Sequence, residues 1–277
     1  MQEQTEHLIH QAYKVLASHR PMTLRQVFYR LVAAQIIENT QAKYKSLSRT
    51  LVRARQEEMI PWDWIEDRLR QPRAVPMWSG LDDFADTALR AYRRDVWDSQ
   101  VDYVEVWLEK DALSGIFQRT LYDYGVTLNV GRGYDSWSSI WTASRRYERE
   151  RAEGGRDTTI LHFGDFDPSG QDMVRSLEER LGFFGCWPTI EKIAITLEDI
   201  DYYDLPPNPA KRTDSRAAGF VAQHGDNCVE LDALPPDILQ ERIIESVEGL
   251  MDLEALSDTK ADEEIDLERL RKFLEGA

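Results

Sequence analysis

Glu109 follows the apolar run Tyr103-Val104-Glu105-Val106-Trp107-Leu108, and Asp165 and Asp167 follow a second, Thr158-Thr159-Ile160-Leu161-His162-Phe163. Both runs predict strands, so each acid stands just past a strand's carboxyl end. In an open α/β sheet those ends form the binding crevice. Asp165 and Asp167 are two apart on an extended segment, so their side chains can share one side. Three carboxylates meeting there repel one another unless a cation joins them, and burying them without one is costly. Hard oxygen donors of this kind suit Mg²⁺, and a metal-bound phosphate is then the natural substrate. An isolated Asp-x-Asp has a plainer reading, because Asp167 before Pro168 is also a good helix cap. His162, inside an apolar run, reads as core, and Lys110 reads equally as a surface lysine or a DNA contact.

The elements that must hold these acids alternate. Strands are expected at 103–108, 126–130, 158–163 and 190–196, and helices at 112–123, at 136–152 and from Pro168 or Ser169. Alternation of this kind implies an α/β fold with a mostly parallel sheet. The first 75 residues read differently. Leu8, Ile9, Ala12, Tyr13 and Leu16 recur at helical spacing. Thr23 with Gln26 makes a capping box for a second helix, from Leu24 to about Ile37, with Val27, Leu31 and Ala34 inward. A third helix, about Lys43–Met59, has Leu47, Leu51 and Ala54 inside and Lys43, Lys45, Arg49, Arg53 and Arg55 on its other faces. Three short helices, the last one basic, look like a helix-turn-helix domain, and Ile60–Ile65 would supply a wing strand. A basic helix face is also what an ordinary solvated surface looks like.

The expected organisation is residues 1–75 as a winged-helix DNA-binding domain, 76–100 as linker and connecting helix, 101–225 as the α/β metal-binding domain, and 226–277 as acidic helices. Proline and glycine in 71–80 mark the linker, and a helix is expected at 81–99. The tail from 226 carries 5 basic and 16 acidic residues; Leu239, Ile243, Val247 and Leu250 keep helical spacing, so it reads as acidic helices packed on the domain with a solvated acidic surface. The whole chain of 277 residues has a net charge of −16, but residues 1–75 hold 12 basic and 8 acidic side chains. Phosphate binding depends on the contact face and not on the total, so nucleic acid remains a fitting partner. No apolar run is long enough to span a bilayer, and Cys186 and Cys228 suggest no disulfide framework. These features lead to the expectation of a cytoplasmic protein, nucleoid-associated in a prokaryote, without a membrane partner.

The segments V-E-V-W-L-E-K-D-A-L (104–113) and D-F-D-P-S-G (165–170) resemble the Toprim domain, most of all that of topoisomerase VI A subunits and the related meiotic double-strand-break proteins. Gly131-Arg132-Gly133-Tyr134 looks like a glycine-containing loop of those proteins. Arg25-Gln26-Val27-Phe28-Tyr29 is similar to their motif Arg-acid-apolar-aromatic-Tyr, with Gln26 where the family has an acid. The order of a winged helix before Toprim is also shared, and the likeness covers most of residues 20–200. The chain is shorter than a typical A subunit and carries no Walker-type motif, and its acidic tail has no counterpart there.

The resemblance implies a type IIB, topoisomerase-like cleavage. Tyr29 would attack a DNA phosphodiester, leaving the protein joined to the 5′ end, while Glu109, Asp165 and Asp167 hold Mg²⁺. Glu109 would also shuttle the proton at the leaving oxygen, and Arg25 would stabilise the phosphate or hold the tyrosine. It further implies a homodimer that shares its sites between subunits and makes double-strand breaks, with a separate ATPase subunit as a possible partner. From spacing alone, Tyr29 is only a helix tyrosine. Two other readings stay open. One is a Toprim nuclease using water in a plasmid-defence or repair complex, and the other is a DNA-binding subunit whose site serves as scaffold. Lys211, Arg212 and Arg216 form a second basic cluster that reads equally as solvated loop or DNA contact.

Overall fold

The computed structural model describes residues 3–66, 75–131, 135–208, 216–225 and 227–275. Arg132, Gly133, Tyr134, Lys211, Arg212 and the start of the expected linker lie outside them. Three helices open the chain, α1 (Glu3–His19), α2 (Leu24–Ala33) and α3 (Gln41–Gln56). The Thr23–Gln26 capping box starts α2, and Leu47, Leu51 and Ala54 are buried along α3 as their spacing requires. The wing does not form as expected. Trp62–Trp64 is a single 3-10 turn, and only Ile65 pairs, with Met22. Trp64 is buried beside the Tyr13 ring, at 5.1 Å between centroids, and Arg20 lies over its other side at 4.5 Å. Packing of that indole outweighs the strand preference of the segment.

The next helix, α4 (Leu81–Ala91), stops eight residues short of the expected Ser99, and a 3-10 turn at Trp97–Ser99 follows. Here tertiary contacts override the helical pattern. The Arg94 guanidinium meets Asp262 at 2.6 Å and Asp266 at 2.7 Å, and its backbone N–H donates to Glu263. Those three acids belong to the final helix, α11 (Leu253–Glu275), so the chain leaves α4 in order to clasp it.

The sheet is four-stranded and wholly parallel: β1 (Tyr103–Leu108), β2 (Thr127–Val130), β3 (Thr158–Phe163) and β4 (Thr189–Ala194), in the order β2-β1-β3-β4. Helices α5 (Ser114–Leu121), α6 (Trp137–Arg149) and α7 (Pro168–Phe183) make the crossovers. After β1 the chain goes to one side to form β2, and after β3 to the other to form β4. The crevice between the ends of β1 and β3 is therefore the topological switch point, where open α/β sheets bind ligands. Every residue of β1 is buried, as expected for a central parallel strand. Its one acid, Glu105, is fully satisfied: Arg146 grips it at 2.7 and 2.9 Å, and Tyr103, Tyr147 and Asn129 donate to it. Two short helices, α8 (Leu197–Tyr202) and α9 (Ala217–His224), lead to α10 (Pro236–Glu248) and α11. The core runs without interruption from Ile9 in α1 to Leu256 in α11. Among the described residues no helix is long and apolar enough to cross a membrane.

Candidate functional site

Register places the acids. Leu108 pairs with Phe163, and the Glu109 N–H donates to the Phe163 carbonyl at 3.0 Å, so Glu109 leaves β1 level with Gly164. Its Oε2 then accepts from the Asp165 N–H at 2.9 Å. Asp167 caps α7, with Oδ1 accepting from the Gly170 N–H at 2.7 Å and the Ser169 hydroxyl at 2.8 Å. The cap reading of Asp167 thus holds, and it leaves the second oxygen free for other work. Among the described residues, Oε1 of Glu109 and Oδ2 of Asp167 have no protein partner. Glycine is required at 170, where an added Cβ would stand 2.2 Å from the Asp165 carbonyl oxygen.

A strap from the C-terminal third completes the site. Val229 pairs antiparallel with Phe166, which brings Glu230 and Asp232 against the Asp165 loop. Asp165 Oδ1 accepts from the Leu231 N–H at 2.8 Å. Lys110 meets Asp232 at 2.7 Å, Glu230 at 2.9 Å and Asp165 at 3.5 Å. On its outer side the strap receives α2. Arg25 pairs with Glu230, Arg30 donates to the Ala233 carbonyl, and the Tyr29 hydroxyl accepts from the Asn208 amide at 2.9 Å. Arg25 and Tyr29, one turn apart, therefore face the same segment. The resemblance implied a tyrosine supplied by a second subunit; within this one chain Arg25 and Tyr29 stand near Glu230 and Lys110.

Sequence reasoning missed Glu230, Asp232, Lys192 and Asn208. The first two were absorbed into a tail read as solvated, which is corrected: Asp232 is buried and Glu230 is shared by two cations. Lys110 is likewise not a surface lysine. A lone lysine in the apolar strand β4 was the available signal for Lys192, whose ammonium lies 3.4 Å from the Asp165 carbonyl oxygen. His162 is buried core, as expected, and its Nδ1 has no hydrogen-bond partner.

Burial, then Asp165 and Asp167, push the Glu109 carboxyl up to about 7. Burial also raises Asp165, against the pull of Lys110. Burial brings Lys192 down to about 8 and His162 to about 4. Burial works against the charge of Glu230, but Lys110 and Arg25 hold its pKa below the usual value. Five carboxylates (Glu109, Asp165, Asp167, Glu230 and Asp232) face three cations (Arg25, Lys110 and Lys192). Among the described residues no three His, Cys, Asp or Glu side chains form a ready-made metal cage. The donors instead fit Mg²⁺, which keeps several waters and takes one or two carboxylates. The free oxygens of Glu109 and Asp167 would hold it, with Asp165 positioned behind them.

Two expected results follow from these charges. Lys110→Ala leaves Asp232 buried and unpaired beside Asp165, and should cost about 3 kcal/mol or more in chemical denaturation. The second concerns pH. Glu109 is raised in the folded state, so its penalty is absent below the unfolded value near 4.5 and complete above about 7; stability falls as pH rises through that window. His162 is depressed from 6.5 to about 4, so its contribution is lost as pH falls through that range. The slopes oppose. Glu109→Gln should remove one of them, leaving a Tm that climbs from pH 4.5 to 6.5 more steeply than the wild type's.

The expected DNA-binding residues lie elsewhere. Lys43, Lys45, Arg49 and Arg53 are exposed on α3, and Arg53 pairs with Glu57 at 2.7 Å. A narrow cleft, with room of only about 20 Å³, adjoins Glu109 and is lined by Asp135, His162, Ser176 and Arg180 among others. Burial pushes the Asp135 carboxyl up to about 6. The chain matches no family model, no curated protein and no solved structure.

Proposed function

We propose that the chain cleaves DNA phosphodiester bonds with Mg²⁺, through a Toprim-like arrangement of Glu109, Asp165 and Asp167 and with Tyr29 as nucleophile. The observation that carries this reading is the convergence of strand-end acids at the sheet's switch point with Arg25 and Tyr29 on the facing helix. Bound there, Mg²⁺ supplies a Lewis acid that neutralises the phosphate. Glu109 and Asp167 would hold the cation, and Asp165 with Lys110 fixes the loop after β3 that carries Asp167. Arg25 offers its guanidinium to the non-bridging phosphate oxygens. The Tyr29 oxygen bonds to phosphorus and gives its proton to water. The bond to the 3′ oxygen breaks, and a proton reaches that oxygen from water by way of Glu109. A homodimer of such sites would pair two nicks into a double-strand break, and the first three helices would form a helix-turn-helix surface for DNA. Religation would be the reverse transesterification, and a separate ATPase subunit is a possible partner.

One observation favours water as the nucleophile instead. Tyr29 is 3% exposed, and burial together with Glu230 pushes its hydroxyl up to about 12. Denaturant trapping separates the two readings: protein joined to the 5′ end supports Tyr29, and a free 5′ phosphate supports hydrolysis. No Mg²⁺-dependent cleavage of any DNA form would sink both. Duplex binding should weaken steeply with salt, and Arg49→Ala with Arg53→Ala should reduce it for all sequences alike. Unchanged binding in that double variant would move the duplex surface off α3.

A further inference from the structure

Four large aromatic side chains crowd one exposed surface beside the cleft: Trp137 (52% exposed), Trp141 (51%), Phe183 (74%) and Trp187 (75%). Trp137 and Trp141 are one turn apart on α6, with their Cα atoms ~6 Å apart along its axis. Phe183, at the end of α7, meets Trp137 edge-on at 5.4 Å. Trp187 packs over Gly182, where an added Cβ would lie 2.5 Å from the indole. Soluble proteins leave so much contiguous aromatic area uncovered chiefly where something binds.

The charge beside it selects the occupant. Arg180 lies 5.3 Å over the Trp137 ring, donates to the Asp135 carbonyl at 2.5 Å, and lines the cleft that reaches Glu109. Arg145 and Arg149 follow Trp137 and Trp141 along α6. Aromatic faces interleaved with arginine on a track to a phosphate-type site suit nucleic acid with unpaired bases, because every base has a face to stack and each phosphate needs a cation. Stacking also asks little of the net charge, which at −16 is unfavourable for a polyanion.

We propose that this aromatic surface is a stacking platform for the unpaired bases of a DNA strand that runs past Arg180 toward Glu109. The proposal rests on the DNA-cleavage reading and names its substrate class, which is DNA with a single-stranded or opened segment beside the scissile bond.

The test measures binding of labelled oligo-dT of ~12 nucleotides, within the span such sites cover, and of a duplex of equal length, both in EDTA with the full-length protein. Trp137→Ala with Trp141→Ala should weaken oligo-dT by ~30-fold or more, at ~1 kcal/mol or more per stacked base, while duplex binding changes less than about twofold. Trp137→Phe with Trp141→Phe, which keeps two rings, should recover most of the loss. Both sites are exposed, so unfolding temperatures should match the wild type and show that the fold is kept. Equal losses for oligo-dT and duplex, or no loss for either, would overturn the platform. So would a wild-type dimer that the alanine variant turns into monomer with oligo-dT binding unchanged, since the occupant would then be a second copy. Cleavage tells the two proposals apart. Oligo-dT binding without any Mg²⁺-dependent cutting overturns the enzyme reading alone, and cutting that is indifferent to both tryptophans on gapped and paired DNA overturns the platform alone.

Discussion

Asp167→Asn should abolish Mg²⁺-dependent cleavage, lowering it on the order of 100-fold or more, while the protein folds and melts much as before. Asparagine caps a helix as well as aspartate does, so the bonds from Gly170 and Ser169 to the side-chain oxygen survive and α7 keeps its start. What disappears is the negative charge on the outward oxygen. Lewis-acid stabilisation of a phosphoryl transition state is worth several kcal/mol, and each ~1.4 kcal/mol is tenfold in rate. Stability should hold or rise slightly, since one of the carboxylates that push Glu109 upward has gone. The readout is a plasmid nicking assay across a Mg²⁺ titration, beside a thermal melt. Cleavage at wild-type rates in Asp167→Asn would remove the metal role from this loop. Loss of fold would show that the cap, and not the charge, had been disturbed, and Asp167→Ser, another good cap, would then decide between them.

Tyr29→Phe carries the second large effect. The ring contributes nearly all the buried area and keeps its edge contact with Phe28, at 5.4 Å between centroids. Only the hydroxyl leaves, and with it the bond from Asn208, at a cost of about 1 kcal/mol. If the tyrosine attacks the phosphate, cleavage and the covalent adduct vanish together while DNA binding is unchanged. Cleavage by Tyr29→Phe at the wild-type rate would make water the nucleophile. The buried, high-pKa hydroxyl also sets a condition on the tyrosine reading. DNA must displace Asn208 or bring the phosphate and cation close enough to favour the phenolate, so the adduct should form only in the presence of metal.

The frame of this site was legible from periodicity. β1 and β3 were expected at their observed bounds, because short runs rich in apolar, aromatic and β-branched residues between polar turns leave little choice for a central parallel strand. Thr23 and Gln26 announced α2 by a local rule, and Asp167 before Pro168 announced α7. What sequence did not disclose depends on contacts between distant segments. Glu230 and Asp232 sit in a stretch whose composition says surface, and only the pairing of Val229 with Phe166 turns them inward. Lys110 is adjacent in sequence to a strand-end acid, yet its burial follows from that same pairing. The wing failed for a related reason, since the register of Ile60–Ile65 is decided by where Trp64 packs.

The strap at 227–234 also sets the order in which the site can assemble. Residue 25 and residue 230 meet across 205 positions, and Lys110 reaches its partners only once Glu230 and Asp232 are in place. A chain that ends before residue 230 therefore holds Tyr29, Glu109, Asp165 and Asp167 but lacks the piece that brings the helix and the sheet to the same phosphate. On the proposed chemistry, unfinished or clipped copies are harmless to the genome of the cell that makes them, and cutting competence arrives only with the last part of the polypeptide.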